Sequence, residues 1–240
     1  MAKICFIVGH GKSRSGGYDP GACAGGHEEY RIAKEIAEYA QAYYNANYAE
    51  QADIMNADAD LYLTDRIKKV NASGYDFVAE IHLNAGGGTG TECYYHKGST
   101  IGRAYADAIC KEISAALGIR QRANGVDDGG DKVKIGAGGK DYFAIIRETR
   151  PTAVLIETVF IDTASDVAKV ATAEGQALCG EAIAKAVAAV RGVKRKNTTR
   201  VLHKIQGGAF ADRKNAERWL AQLHSEGHTD FFIVTETVED

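Results

Sequence analysis

The stretch Ile4-Cys5-Phe6-Ile7-Val8 contains five apolar residues in a row, without the polar alternation of a half-exposed strand. Such a run is typical of a strand that is buried on both faces of a parallel sheet. A glycine-rich loop, 9–26, follows it directly. The sequence therefore predicts a first strand whose carboxyl end opens into a loop that can approach a ligand closely.

Helices and strands alternate along the following part of the chain. The predicted elements are a helix that begins near Glu28, a helix over 60–72, a strand over 77–83, a strand around 93–95, a helix over 99–117, a strand over 153–156 and a helix over about 165–190. Ser99 is expected to cap its helix and Gly118 to end it. This alternation predicts an α/β fold with a mostly parallel sheet flanked by helices.

The composition changes at residues 191–204, where six basic residues occur without an acidic one. We interpret this as a domain boundary, with a catalytic domain over 1–190, a basic linker over 191–199 and a small unit over 200–240. In that unit, a strand over 201–206, a helix after Asp212 and a strand over 231–234 are expected. A β-α-β unit of this size buries little surface alone, so it must pack on the first domain or on a second copy.

The bulk properties exclude several classes of function. The 240 residues carry a formal charge of −3, so no global charge attracts nucleic acid. The five cysteines are odd in number and irregularly spaced, which favours a reducing compartment over a disulfide framework. They include no C-x-x-C pair, so a cysteine zinc site is not expected. The N-terminal apolar run is too short for a signal peptide or a membrane span. We therefore expect a cytoplasmic protein without membrane insertion.

Four residues lie where predicted strands end or a predicted helix begins, namely His10, Glu29, His82 and Glu157. The carboxyl ends of parallel strands meet at the edge of the sheet where ligands bind. Two imidazoles and one carboxylate are a recurring ligand set for a zinc ion with an open coordination position. The remaining glutamate is then available to move protons, which predicts a metal-dependent hydrolase.

Each candidate also has an ordinary structural explanation. His10 suits a loop, and His82 suits a hydrogen-bonded position in the core, although Glu80 beside it on the same strand face also needs a partner. Glu28 competes with Glu29, because the helix dipole favours either carboxylate at a helix start. His27 is a nearby alternative ligand.

Five strings of residues stand in a specific order along the chain. They are Val8-Gly9-His10-Gly11, Asp19-Pro20-Gly21-Ala22, Glu29-Tyr30, Ile81-His82-Leu83-Asn84-Ala85-Gly86-Gly87-Gly88-Thr89-Gly90 and Ala153-Val154-Leu155-Ile156-Glu157. Over about residues 1–190 the chain resembles the zinc-dependent N-acetylmuramoyl-L-alanine amidases of the amidase-3 type, which include phage endolysins and mother-cell lytic amidases. Arg66 and Asn71 match a further part of that pattern. The aspartate that usually begins the first string is absent here.

The resemblance implies zinc held by His10, Glu29 and His82, with Glu157 as the catalytic glutamate. It selects Glu29 over Glu28, because Glu29 lies seven residues after Ala22. The implied substrate is peptidoglycan, cleaved between N-acetylmuramic acid and L-alanine during cell lysis, so the protein would reach the wall only when the membrane fails. A phage and a sporulation origin are not separated. The alternatives are a wall-binding module without activity and another zinc hydrolase, such as a deacetylase or carboxypeptidase.

The C-terminal segment resembles one half of a SPOR-type repeat, a module that binds glycan strands without peptides. The similar residues are Lys204 to Phe210, Asn215 to Glu217, Leu223 and Gly227. A complete module has two β-α-β halves. We therefore predict a homodimer joined through residues 200–240, in which a second copy supplies the missing half.

Overall fold

The structure is a computed structural model that describes residues 4–126, 128–196, 210–228 and 231–233. It divides into two compact units, Met1–Lys196 and Asn197–Asp240. Within the described ranges, none of the helices is both long and apolar enough to cross a bilayer.

The described residues form ten strands and seven α-helices. The strands are β1 (Ile4–Val8), β2 (Gly11–Lys12), β3 (Tyr18–Asp19), β4 (Cys23–Ala24), β5 (His27–Glu28), β6 (Ala52–Met55), β7 (Phe77–Asn84), β8 (Glu92–Tyr95), β9 (Asp131–Lys132) and β10 (Thr152–Phe160). The helices are α1 (Glu29–Asn47), α2 (Leu63–Ser73), α3 (Thr100–Leu117), α4 (Ala144–Glu148), α5 (Ala164–Val167), α6 (Ala173–Arg191) and α7 (Arg213–Ser225). A short 3₁₀ helix covers Ala137–Gly139.

Six strands of the first unit form one sheet in the order β6-β1-β7-β10-β8-β9. The pairs β6–β1, β1–β7 and β7–β10 are parallel, whereas β8 runs antiparallel to β10. The predicted mostly parallel α/β fold is therefore confirmed. β1 lies between two neighbours and is buried at all five positions, as its unbroken apolar sequence predicts.

Helices cover both faces of this sheet. On β7, Phe77 and Ile81 point into the core formed with α1, α3 and α6, whereas Val78 points toward α2 and α4. Because successive side chains alternate between faces, His82 and Glu80 lie on the α2 and α4 side. The period-two pattern of this strand thus directs its polar residues toward one surface.

Most predicted elements of the first unit are present, with shifted ends. Ser99 accepts a hydrogen bond from Gly102 N, and Gly118 ends α3 in the left-handed region at φ 61°. Glu157 lies inside β10 rather than at its end, because the strand continues to Phe160 after a register shift. The sequence does not predict β6, whose four residues include an aspartate.

The prediction of a single helix over 165–190 is wrong, because the chain forms two helices there, α5 and α6. Thr172 begins α6 by accepting a hydrogen bond from Gly175 N. At Gly175 the backbone passes so closely that an added Cβ would lie 1.9 Å from the carbonyl oxygen of Lys169. The cap and this close approach separate the two helices.

The second unit contains α7, which confirms the helix expected after Asp212. The Asp212 side chain accepts a hydrogen bond from Lys214 N. The predicted strand over 201–206 lies outside the described residues, as does Val234. The prediction of a closing strand is wrong at the described residues 231–233, which form no strand. The Phe231 carbonyl instead accepts a hydrogen bond from His224 Nε2.

Candidate active site

His10 follows β1 in a backbone conformation that side chains rarely adopt, with φ at 57°. Two long-range contacts hold this turn: Asn56 Nδ2 and Arg66 Nη1 donate to the His10 carbonyl at 2.8 and 2.9 Å. Asn56 also donates to the Val8 carbonyl. A non-glycine residue persists in this conformation only when its surroundings determine it, and such positions cluster at functional sites.

Three of the predicted residues converge at the carboxyl edge of the sheet. Single ligand atoms of His10, Glu29 and His82 all lie within 4.8 Å of one another. The two Glu29 oxygens lie 3.3 Å from His10 Nε2 and 2.8 Å from His82 Nδ1. Glu28 is directed elsewhere, since its carboxylate contacts Arg31 and Tyr18. The structure thus brings Glu29, rather than Glu28, to the two histidines.

The backbone around this cluster leaves room only for glycine. An added Cβ at Gly9 would lie 2.2 Å from Cε1 of His82, and one at Gly21 would lie 2.6 Å from Glu29 Oε2. Glu29 itself is fixed by the N–H groups of Ala22 and Leu83 at 2.8 and 3.1 Å. Glycine at these positions therefore lets the loop after β1 approach β7 closely, with the side chains of Glu29 and His82 packed between them.

Each imidazole directs its second nitrogen toward another carboxylate. His10 Nδ1 lies 3.0 Å from Asp19 Oδ2, and His82 Nε2 lies 3.5 Å from Glu80 Oε2. Glu80 in turn accepts a hydrogen bond from buried Arg66. Outer carboxylates that orient imidazoles are a regular feature of metal sites. The partner that Glu80 needs is thus Arg66, which belongs to the motif pattern on α2.

The charge state of the central carboxylate suits a cation. Burial alone would raise the pKa of Glu29, but hydrogen bonds with His10 and His82 hold it well below its usual value. Burial would also lower the pKa of His82, yet Glu29 and Glu80 raise it well above the ordinary value. The site therefore gathers negative charge around two imidazoles, and a metal ion would compete with protons for them.

Glu157 occupies the next position across the sheet. It is in register with His82 on β7, and paired positions project from the same face. Burial raises its pKa to about 7, with Glu29 and Glu92 opposing the effect of His82. Among the described atoms, its Oε2 is buried without a hydrogen bond. A carboxyl group with this pKa can both accept and donate a proton near neutral pH.

A cavity of about 480 Å³ opens onto these four residues. Its opposite wall is mainly apolar and consists of Tyr62, Leu63, Phe143, Ala144 and Ile145. The wall comes from α2 and from the start of α4, the helices on that face of the sheet. Apolar walls facing a few convergent polar groups are typical of sites for organic substrates.

The sequence did not single out several residues at this site. Asp19 and Asn56 act through contacts that become visible only in the folded chain, although Asp19 belongs to one of the motif strings. Glu92, Arg122 and Lys132 form a charged group beside Glu157. The only sequence signal for this group is a glutamate inside a short apolar strand.

Comparisons with known proteins identify the family of this chain. Residues 4–189 match the family model described as N-acetylmuramoyl-L-alanine amidase, and the chain belongs to this family. It is 29% identical over 237 residues to the sporulation-specific N-acetylmuramoyl-L-alanine amidase of Bacillus subtilis, covering 98% of this chain and 85% of the relative. It is also 28% identical over 201 residues to the endolysin of Bacillus phage SPP1, covering 82% of this chain and 69% of the relative.

Solved structures show the same relationship. Cwp6 from Clostridium difficile superposes with a TM-score of 0.67 at 28% identity, over 79% of this chain and 29% of that protein. An N-acetylmuramoyl-L-alanine amidase from Clostridium difficile 630 also gives a TM-score of 0.67, at 25% identity, over 80% of this chain and 97% of that protein.

Proposed function

We propose that the protein is a zinc-dependent peptidoglycan hydrolase that cleaves the amide between N-acetylmuramic acid and L-alanine. The observation that carries this proposal is the convergence of His10, Glu29 and His82 within 4.8 Å, at a cavity that also contains Glu157. The family match over 4–189 supports the same reaction class.

The three ligands fit a zinc ion by their chemistry. Two imidazole nitrogens and one carboxylate leave one position open in the tetrahedral coordination that zinc prefers. The donors also converge, because His10 Nε2 and His82 Nδ1 both face the Glu29 carboxylate, at 3.3 and 2.8 Å. When bound, zinc would polarise the amide carbonyl and lower the pKa of a water molecule.

The chain itself supplies the proton transfers through Glu157. Its carboxylate accepts a proton from the water as the water oxygen bonds to the carbonyl carbon. The same proton then passes to the amide nitrogen as the carbon–nitrogen bond breaks, giving a lactyl carboxylic acid and a free amino terminus. The pKa of about 7 allows Glu157 to perform both steps.

A single variant tests this assignment. Glu157→Gln should retain metal but release new amino termini from purified cell walls more slowly by a factor on the order of hundreds, since both proton transfers are lost. Glu148→Gln, at an exposed glutamate that pairs with Arg147, is the matched control and should keep full activity. Near-normal activity of Glu157→Gln would exclude the proposed role.

Analysis of the wild-type products separates the reaction classes. New amino groups on L-alanine support the amidase. Release of acetate would indicate a deacetylase, release of free D-alanine a carboxypeptidase, and absence of product a wall-binding module. Zinc content measured on the same sample links the product to the metal.

We further propose that the enzyme acts in cell lysis, is made in the cytoplasm and meets the wall when the membrane opens. The support is that its relatives include a sporulation-specific amidase and a phage endolysin. Accumulation of active enzyme outside intact producing cells would contradict this role.

A further inference from the structure

A row of polar side chains crosses the sheet at the level of Glu157. Glu157 is in register with His82 on one side and with Glu92 on the other. Because paired residues project from the same face, Glu92 lies one strand spacing, about 4.8 Å, beyond Glu157. The proposed reaction assigns no role to this third position.

Glu92 is completely buried and pairs with two cationic side chains. Arg122 Nη1 donates to its two oxygens at 3.0 and 2.9 Å, and Lys132 Nζ also donates to it. Tyr94 and Asn84 donate to it as well. Arg122 and Lys132 therefore face a single carboxylate, and together with Glu92 these side chains carry one net positive charge beside Glu157. Asn84 also lines the cavity, so the group borders the active site.

Arg122 is fixed close to Glu157 and remains accessible. Its backbone N–H donates to the Thr91 carbonyl at 2.8 Å, and Thr91 Oγ1 donates to the Glu157 carbonyl at 3.3 Å. The guanidinium lies 5.3 Å from the centroid of the Phe160 ring. Its side chain is 41% exposed, whereas that of Lys132 is 16% exposed. A planar, accessible cation held in this way is suited to a carboxylate.

We propose that Arg122, supported by Lys132, binds a free carboxylate on the peptide that leaves during amide hydrolysis. An extended peptide advances about 3.3 Å per residue, so a carboxylate one or two residues beyond the scissile amide falls within reach of this position. The subsite rests on the proposed amidase function. It makes Arg122 a specificity-determining residue that distinguishes a free carboxylate from a carboxamide on the stem peptide.

The test uses two disaccharide peptides that differ only in whether the second amino acid of the stem carries a free carboxylate or its carboxamide. Wild-type enzyme should show a kcat/KM about tenfold higher on the carboxylate form, because a charge-assisted contact is lost with the carboxamide. Arg122→Gln should remove this preference, so that the ratio of kcat/KM between the two substrates falls to about one. Arg122→Lys should retain part of it. Arg120→Gln removes the same charge at an exposed position two residues away and should keep the full preference.

Three results would overturn the subsite while leaving the amidase function intact. They are equal wild-type rates on both substrates, an undiminished preference in Arg122→Gln, and a parallel loss on both substrates in that variant, which would indicate structural support through Glu92. If wild-type enzyme cleaved neither substrate nor purified walls, the amidase proposal itself would fail, and the subsite with it.

Discussion

Glu28 and Glu29 are adjacent carboxylates with different surroundings, which makes them a direct comparison at the scale of single residues. Glu29 faces both histidines, whereas Glu28 pairs with Arg31 at the surface. We expect Glu29→Gln to weaken zinc binding and Glu28→Gln to leave it unchanged. His10→Ala or His82→Ala should abolish binding, because two remaining protein ligands rarely hold the ion. Elemental analysis of dialysed protein measures all four variants, and greater damage from Glu28→Gln would refute the ligand choice.

Asp19 offers a second prediction, on the orientation of a ligand. Its carboxylate lies 3.0 Å from His10 Nδ1 and also accepts the Gly21 N–H. Asp19→Asn should lower zinc affinity about 10- to 100-fold, the usual effect of losing an outer carboxylate. Competition with a chelator measures this change, and Asp58→Asn at an exposed position serves as the control. Unchanged affinity in Asp19→Asn would show that His10 needs no such support.

The sequence places His10, Glu29, His82 and Glu157 near elements whose burial patterns are simple to interpret, and the structure brings all four to one cavity. The outer residues could not be chosen in this way. Asp19 lies in a loop of very short strands, where no periodicity indicates which side chain points inward. Such contacts depend on the exact path of the loop.

At the scale of elements, β8 and β9 are joined by the buried charge of Glu92. Burial alone would raise its pKa, but Lys132, Tyr94 and Arg122 hold it below the usual value. A depressed folded-state pKa stabilises the protein above the unfolded-state pKa of about 4.3 and loses that effect as the pH falls through the folded value.

Glu92→Gln should therefore lower the free energy of unfolding near neutral pH, by roughly 3 kcal/mol for a broken buried ion pair. The difference from wild type should shrink as the pH falls below about 4, where wild-type Glu92 also becomes protonated. Urea unfolding at several pH values measures this. Glu148→Gln provides a surface control, and a difference that is constant with pH would contradict the electrostatic explanation.

The elements themselves were predictable to different degrees. β1 and β7 have unambiguous burial patterns, and Ser99 and Gly118 mark the ends of α3 clearly. In contrast, β9 has only two residues and pairs with β8 through contacts distant in sequence. Residues 119–150 thus show no local pattern. For this reason the sequence could not reveal that Arg122 and Lys132 lie beside Glu157.

At the scale of the whole molecule, the first unit extends slightly beyond the predicted domain. Arg191 forms hydrogen bonds with Glu50 at 2.6 and 2.7 Å, and Lys196 N donates to the Asn47 carbonyl. These contacts attach the first residues of the predicted linker to α1 and the turn after it. A truncation that tests the second unit should therefore end after Lys196.

The homodimer stays a prediction, and an apolar face of α7 in the second unit is the surface that it would use. Ala216, Trp219, Leu220 and Leu223 occupy one face of α7, and none of them is fully buried. Trp219 lies 5.8 and 6.5 Å from the ring centroids of Phe210 and Phe231. An aromatic surface that remains accessible in one chain is suited to the same surface of a second chain related by a two-fold axis.

We expect the full chain to sediment as a dimer at micromolar concentration and residues 1–196 to sediment as a monomer. Trp219→Ser should shift the full chain toward monomer, whereas Gln222→Ser, at an exposed position of the same helix, should not. The truncated chain should also bind purified walls more weakly while cleaving the disaccharide peptides at the full rate, because its cavity and ligands are complete. A monomeric full chain would rule out the dimer, and undiminished wall binding by residues 1–196 would remove the targeting role of the second unit.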